Sequence, residues 1–288
     1  MSADAEISPA PCCLHPSLGI QVATASLVFR SLHIAATGMA AQETQLEGVS
    51  NNIANVNTNG YKRQRIEFQD LLYQTVRAAG TRTTETTRSP TGIQLGSGVR
   101  VAAVSRNFTQ GAILVTNNPL DVAIEGNGFF VIQQSDGTPA YTRAGALQTD
   151  AQGQLVTPEG HLLDPPITIP PDTISTTIGA EGTVSCMIAG QDAPVEVGQL
   201  TLATFINPSG LHSIGKNLFI VTQSSGEAQI GAAGSDGRGA LLQGALERAN
   251  VDIAEEMVGM ITAQRAYEVN SKVVMTADEM LRAAVNMR

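Results

Sequence analysis

The feature that most constrains this 288-residue sequence is a regular apolar pattern close to its beginning. Eight positions follow one another at alternating steps of three and four residues, which is the spacing of a heptad seam rather than of a general amphipathic face. The positions are Leu32, Ala35, Met39, Gln42, Leu46, Val49, Ile53 and Val56. The pattern predicts a long helix that needs another helix as its partner, and the Asn59-Gly60 pair predicts the turn that ends it.

A second amphipathic helix is predicted at the other end of the chain, beginning near Asn250. Asp252 stands where it can cap this helix, and Glu255 three residues later completes a capping-box pattern. A four-three rhythm follows, with Gln264 at a polar position, and a second apolar row that includes Ile261 widens the face. The main row consists of Ile253, Met257, Met260, Tyr267, Val274, Leu281 and Val285. A helix that is apolar on more than one face usually has more than one helical neighbour.

The region between the two helices is β-rich. Residues 74–98 are rich in threonine and almost free of bulky apolar groups, which is typical of an extended arm or a mobile connection. From Val99 onward, short apolar runs are separated by glycine and aspartate turns. Three of these runs predict hairpins, with turns at Asp136-Gly137, Gln152-Gly153 and Glu181-Gly182.

Together the patterns predict an α+β fold, in which N- and C-terminal helices form a coiled-coil-like assembly domain around a discontinuous, mainly antiparallel β domain. Neither helix has an obvious core partner in the β domain, so we expect the helices to pack against each other or against other subunits. The predicted segments are an extension of uncertain status (1–29), an N-terminal assembly helix (30–66), an extended Thr-rich connection (67–98), a β-rich domain (99–246) and a C-terminal assembly helix (247–288).

Composition and motifs give no support to catalysis or to nucleic-acid binding. The net charge of −9 leaves only the short cluster Lys62–Arg65 as a basic surface. Residues 210–216 match the start of a phosphate-binding loop, but Asn217 replaces the required Ser or Thr and a strand follows. The cysteines and histidines have no zinc spacing. We therefore expect no enzyme activity, no cofactor, no metal and no nucleic-acid partner.

Three stretches resemble the bacterial flagellar rod and hook proteins, over about residues 29–288. The N-terminal signature is carried by Asn51-Asn52-Ile53-Ala54-Asn55 and Thr58-Asn59-Gly60-Tyr61-Lys62. Gln264-Arg265-Ala266-Tyr267-Glu268 is similar to the centre of the family's terminal helix, and IEGNGFFVI to part of its central β domain. The stretches KRQRIEFQDLLYQT and QLGSGVRV, with the chain length, favour the distal-rod members of the family.

The resemblance implies a structural subunit that polymerises helically into the hollow drive shaft of the flagellum, transmitting torque and carrying exported subunits. The implied partners are copies of itself, other rod proteins and hook subunits at the two ends, the P and L ring proteins, and the flagellar export apparatus. The implied location is the periplasm-spanning rod of the basal body, reached without a cleaved signal peptide. The alternatives are a proximal rod or hook subunit, or an extracytoplasmic, adhesin-like β-rich binding module.

The asparagines at the end of the first helix have two interpretations. Amides offer both donors and acceptors, so Asn51, Asn52 and Asn55 either set the register between subunits or form local turns and caps. The full predicted assembly interface is Leu32, Ala35, Met39, Leu46, Val49, Asn51, Asn52, Ile53, Asn55, Val56, Met257, Met260, Ile261, Gln264, Tyr267, Val274 and Leu281.

The beginning of the chain departs from the family pattern. Members usually start a few residues before a Ser-Leu pair such as Ser31-Leu32, whereas here about 27 residues precede Val28. One alternative is that translation begins at Val28 from an alternative start codon, in which case residues 1–27 are dispensable. The other is that residues 1–27 are translated as a real extension of the protein.

Overall fold

In the order of the chain, one long helix comes first, a series of short strands follows, and a second long helix comes last. The computed structural model describes residues 16–80, 90–134, 136–190 and 193–286, and the described side chains begin at Phe29. The helices are α1 (Pro16–Ala54) and α2 (Ile253–Asn286), and a short 3₁₀ turn covers Pro208–Gly210. The strands are β1 (Gln64–Asp70), β2 (Gln74–Arg77), β3 (Ile93–Leu95), β4 (Val99–Arg106), β5 (Ile113–Val115), β6 (Val122–Glu125), β7 (Phe129–Gln133), β8 (Pro139–Thr142), β9 (Gln148–Thr149), β10 (Leu155–Val156), β11 (Leu162–Leu163), β12 (Thr173–Ile178), β13 (Thr183–Ile188), β14 (Val195–Gln199), β15 (Thr201–Thr204), β16 (His212–Gly215), β17 (Leu218–Ile220), β18 (Gln229–Ala232), β19 (Ala240–Gln243) and β20 (Ala245–Glu247).

The chain divides into two compact units, and each is assembled from separate stretches of sequence. The first unit comprises Met1–Leu46, Phe68–Ala102 and Ile261–Arg288, and the second comprises Glu47–Glu67 and Ala103–Met260. The sequence predicts an assembly helix over 30–66, whereas α1 begins at Pro16 and ends at Ala54. The end of α1 has a local cause. The side chain of Asn55 donates to the backbone carbonyl of Asn51, and such bonds compete with the backbone hydrogen bonds of a helix.

The first unit contains helical segments and a β ribbon. A Cβ atom added to Gly38 in α1 would lie 2.9 Å from Nδ2 of Asn270 in α2, so the two helices approach closely here. Strands β2 and β3 pair antiparallel, with Gln74 opposite Leu95. Residues 74–98 are thus not merely an extended arm, because their described ends pair within the chain, while residues 81–89 lie outside the described part.

Strand β4 begins at Val99, where the sequence predicts the β domain to begin, but it pairs with β1 in a separate two-stranded ribbon. The start of the predicted β-rich domain (99–246) is therefore displaced. The pairing was not predictable from the period-2 pattern, which indicates a strand without naming its partner.

A nine-stranded antiparallel sheet forms the centre of the second unit. Its order is β16-β17-β8-β7-β11-β10-β9, and β15 adds to β7 and to β18. Side chains of β7 alternate between two buried clusters, as a strand with both faces covered requires. Phe130 and Ile132 enter the main apolar core, while Phe129 and Val131 enter an aromatic cluster with Phe205 and Phe219.

The three predicted hairpins are present in the second unit. Strands β7 and β8 pair across the turn at Asp136-Gly137, and β9 and β10 pair across the turn at Gln152-Gly153. Strands β12 and β13 pair across Glu181-Gly182 within a separate three-stranded sheet. Gly137, Gly153 and Gly182 all have positive φ angles, which glycine adopts without steric cost. Local turn chemistry therefore predicted these elements correctly.

Gly48 of α1 lies in tight contact with strand β1, and this contact gives a testable prediction. A Cβ atom at position 48 would lie 2.5 Å from Cδ1 of Ile66. We expect Gly48→Ala to lower the free energy of unfolding by about 1–3 kcal/mol, because the side chain overpacks the contact. Urea unfolding followed by circular dichroism measures this change.

Gly259→Ala in α2 is the matched control. The added Cβ would meet only Cγ2 of Val49 at 3.8 Å, an ordinary contact distance. Since alanine is the better helix former, this variant should be as stable as the parent or up to about 1 kcal/mol more stable. Equal destabilisation by both substitutions would contradict the close packing of Gly48.

Candidate assembly interface

A buried carboxylate ties together four distant segments of the second unit. The side chain of Glu247, at the end of β20, accepts hydrogen bonds from Lys62 Nζ at 2.7 Å and from Arg143 Nε at 2.6 Å. The backbone N–H of Gly111 donates to the same carboxylate at 2.8 Å. We call this group, Glu247 with Lys62, Gly111 and Arg143, the Glu247 hub. Each of its three side chains is at most 4% exposed.

Both cations also donate to backbone carbonyls. Lys62 Nζ donates to the carbonyl of Thr109 at 2.7 Å, and Arg143 donates to the carbonyls of Gly126 and Gly128. Burial lowers the pKa of Lys62 from its usual value, and the charge and hydrogen bond of Glu247 oppose this shift. Buried cations need this degree of pairing, because their desolvation otherwise costs several kcal/mol.

The asparagine run makes a second cluster, which begins in the last turn of α1 and continues just beyond it. Asn52 is 2% exposed, and its Oδ1 accepts hydrogen bonds from the backbone N–H of Gln64 at 2.9 Å and from the Tyr61 hydroxyl at 3.1 Å. Its Nδ2 donates to the carbonyl of Gln64 at 3.0 Å. Asn55 Nδ2 donates to the carbonyl of Asn51 at 2.9 Å. The observed bonds of Asn52 and Asn55 are therefore local ones, as expected if these residues form turns and caps. A role in setting the register between subunits stays a prediction.

Asn52→Ala is expected to lower the free energy of unfolding by about 1–3 kcal/mol. The substitution leaves the backbone N–H and carbonyl of Gln64 without their partner in a partly buried place, which costs part of the desolvation of these groups. Asn57→Ala, at an exposed position of the same run, should change stability by less than about 0.5 kcal/mol. Thermal unfolding of the two variants separates these outcomes, and equal effects would argue against the local role of Asn52.

The start of α2 is fastened by an ion-pair cluster of the second unit. Arg63 pairs with Glu255 at 3.0 Å and with the buried carboxylate of Glu256 at 2.5 Å. Asp252 caps the helix as predicted, since its Oδ1 accepts from the N–H of Ala254 at 2.9 Å. Glu255 pairs with Arg63, which differs from the role expected of it in a capping box.

Aromatic and cationic side chains pack beside this ion-pair cluster. The guanidinium of Arg106 lies over the rings of Tyr61 and Phe219, 5.7 and 5.6 Å from their centroids. Burial raises the pKa of Tyr61, an effect opposed by Arg106 and increased by Glu256. Burial also lowers the pKa of Arg106, and Tyr61 opposes that shift.

The predicted seam of α1 is only partly buried within the chain. Ala35 and Val49 are buried, while Leu32, Met39, Leu46, Ile53 and Val56 are half-buried. Buried or half-buried residues also occur one position before the predicted ones, at Gly38, Gln45 and Asn52. The heptad spacing is present, but the face covered within the chain is rotated towards small and polar residues.

On α2 the buried row is displaced from the predicted row. The most buried residues are Glu256, Ala263 and Ala277, so the row passes through 263 and 277 rather than through Gln264 and position 278. Met260, Val274 and Leu281 are half-buried, whereas Met257, Ile261, Gln264 and Tyr267 are exposed. Ala277 belongs to the second apolar row predicted from the sequence, whereas Ala263 was not predicted, because alanine gives a weak apolar signal.

The exposed side of α2 carries an unusual amount of apolar surface for a single chain. Val258 is 62% exposed and Val269 is 58% exposed. We call these two residues, together with Ile261, Val273 and Met280, the outer face of α2. Scattered exposed apolar residues are normal, whereas several on one face of a helix are typical of surfaces that bind protein.

The described residues give no support to other kinds of site. Among them, no three His, Cys, Asp or Glu side chains come together as a metal ion would require. Over its described residues, neither helix is long and apolar enough to cross a membrane. The segment that resembles a phosphate-binding loop contains β16, with Lys216 and Asn217 in a turn before β17.

Three parts of the chain match models of known protein families. Residues 32–62 match the flagella basal body rod protein family, and residues 123–186 match the D1 domain of the flagellar hook protein FlgE/F/G. Residues 242–287 match the C-terminal part of the flagellar basal body rod FlgEFG proteins. The matches include the second half of α1, strands of the second unit and all of α2.

Curated proteins resemble the chain over most of its length. It is 50% identical over 260 residues to the flagellar basal-body rod protein FlgG of Caulobacter vibrioides, covering 90% of this chain and 99% of that protein. It is 49% identical over 263 residues to FlgG of Borreliella burgdorferi, with 91% and 99% covered. It is 40% identical over 266 residues to FlgG of Bacillus subtilis, with 91% and 100% covered.

The helices, the β domain and these matches define the class of flagellar rod and hook proteins. Within that class, the chain belongs to the family of the flagellar basal-body rod protein FlgG. The family predicted from the asparagine signature and the terminal helix is therefore confirmed.

Proposed function

We propose that the chain is a structural subunit of the distal rod of the bacterial flagellar basal body, and that it polymerises helically through α1 and α2. The observation that carries this function is the identity of about 50% to FlgG proteins over nearly their whole length. The exposed outer face of α2 supports the polymerisation, because repeated burial of such a face against other copies removes it from water. A structural role also agrees with relatives that are named rod proteins.

Residues are assigned to the proposed interface according to how exposed their side chains are in the single chain. The outer face of α2 contributes most strongly, together with the exposed residues Met257 and Tyr267. Half-buried residues of α1, such as Leu46 and Ile53, extend it. Coiled-coil pairing of the two helices is part of this proposal, and Gly38 supports it because its missing side chain permits the close approach to Asn270.

The further partners belong to the same proposal. A distal rod subunit would contact other rod proteins at one end, hook subunits at the other, and the P and L ring proteins around it. It would reach the periplasm through the flagellar export apparatus without a cleaved signal peptide. A hook or proximal rod subunit is the alternative, and full-length similarity to FlgG favours the distal rod.

Isolation of basal bodies tests this function. Cells that lack the gene and carry a tagged copy should be motile, and the tag should copurify with the rod and appear along its distal part in electron micrographs. Motile cells without the protein, or a tag confined to the hook or the proximal rod, would contradict the proposal.

A further inference from the structure

The Glu247 hub joins residues that are very far apart in the chain. Glu247 is 185 residues from Lys62, 136 from Gly111 and 104 from Arg143. The hydrogen bonds between strands β7 and β8, in contrast, span a single short turn. Because the entropy cost of closing a loop grows with its length, local hairpins can form before contacts of this range.

Residues 247–250 also bind the backbone of the segment that follows α1. The N–H of Gly60 donates to the carbonyl of Glu247 at 2.8 Å, and the N–H of Arg63 donates to Oδ1 of Asn250 at 2.7 Å. Asn250 Nδ2 also donates to the carbonyls of Asn107 and Thr109. The segment that follows α1 therefore depends on residues 247–250 for its charge partner and for two of its backbone bonds.

Without Glu247, the site would contain two buried cations and no anion. Lys62 and Arg143 are both paired with its carboxylate, one with each oxygen. An unpaired ammonium group is strongly disfavoured in such a place, so Lys62 would move to water and take the segment after α1 with it. The hub therefore couples the position of this segment to the presence of one acidic residue near the end of the chain.

We propose that the Glu247 hub is a completion lock, which fastens the segment after α1 to the β domain only after residues 247–250 are in place. Until then, the β7–β8 region folds while residues 58–64 stay undocked. The consequence is that only a complete chain acquires the joint between α1 and the β domain. This inference rests on the contacts of the second unit and does not depend on the rod function.

Pulse labelling of backbone amides during refolding of the full-length protein tests the order directly. The amides of Phe130 and Ile132, which face β8, should gain protection first, and those of Gly60, Arg63 and Gly111 should gain it together in a later phase. Protection of Gly60 and Arg63 before or together with Phe130 would overturn the proposal.

Two full-length variants test the electrostatic cause. Glu247→Gln should leave the rate of protection at Phe130 within about twofold and raise exchange at Gly60 and Arg63 about 100-fold under native conditions. The double variant with Lys62→Met and Glu247→Gln removes the unpaired ammonium group and should recover at least about tenfold of that loss. A slower β7–β8 phase in Glu247→Gln, or no recovery in the double variant, would show that the hub is not a lock of this kind.

Discussion

Replacing Val269 by aspartate is expected to abolish polymerisation while leaving the single chain folded. Val269 is 58% exposed on the outer face of α2, so the substitution breaks no buried contact of the chain itself. In a polymer, the same position would place a charge in an apolar interface, which costs several kcal/mol for every subunit. We expect no rods by electron microscopy and a change in monomer stability of less than about 0.5 kcal/mol.

Glu268→Asp is the matched control for this experiment. It places the same side chain at the neighbouring, exposed position of α2 without removing apolar surface. This variant should polymerise and support motility as the parent does. Normal rods from Val269→Asp, or loss of the folded monomer, would contradict the assignment of the outer face to contacts between subunits.

Arg143→Met is expected to lower the free energy of unfolding by about 3–5 kcal/mol. The guanidinium pairs with Glu247 at 2.6 Å and donates to the carbonyls of Gly126 and Gly128, all in a buried place. Removing one partner of a buried ion pair leaves the other charge uncompensated, which is the costly case. Urea unfolding followed by circular dichroism should show a lower midpoint with an unchanged slope.

Lys216→Met provides the contrast with a surface ion pair. Lys216 pairs with Glu159 at 2.8 Å, but its side chain is 63% exposed. Such pairs contribute at most about 1 kcal/mol, because solvent screens the charges. A loss of several kcal/mol in this variant, or a loss below about 1 kcal/mol in Arg143→Met, would contradict the account of the Glu247 hub.

The elements set by local chemistry were predictable from the sequence. The hairpin turns at Asp136-Gly137 and Glu181-Gly182, and the cap at Asp252, depend on residues within a few positions of each other. The family was predictable because the asparagine signature is long and specific. Contacts between segments that are far apart in the sequence were not predictable. Neither the pairing of β1 with β4 nor the Glu247 hub produces a periodic pattern in the sequence.

The two helices were predictable from the sequence, and the faces that they bury within the chain were less so. The heptad rows correctly marked both helices, but the buried row of α2 passes through Ala263 and Ala277. Because alanine contributes little to an apolar pattern, the predicted row was defined by larger residues such as Met257 and Tyr267. Those residues are exposed in the single chain, which leaves them free to contact other subunits. Lys62 belongs to the short basic cluster at 62–65, and the partner of its buried charge is Glu247, 185 residues away.

Electron cryomicroscopy of the assembled rod tests the central claim most directly. The account predicts a helical polymer in which Val258, Val269 and Met280 of each subunit are covered by helices of neighbouring copies, while the Glu247 hub keeps its contacts inside one chain. A rod in which this outer face of α2 remains exposed to solvent, or in which Lys62 pairs with a different subunit, would contradict it.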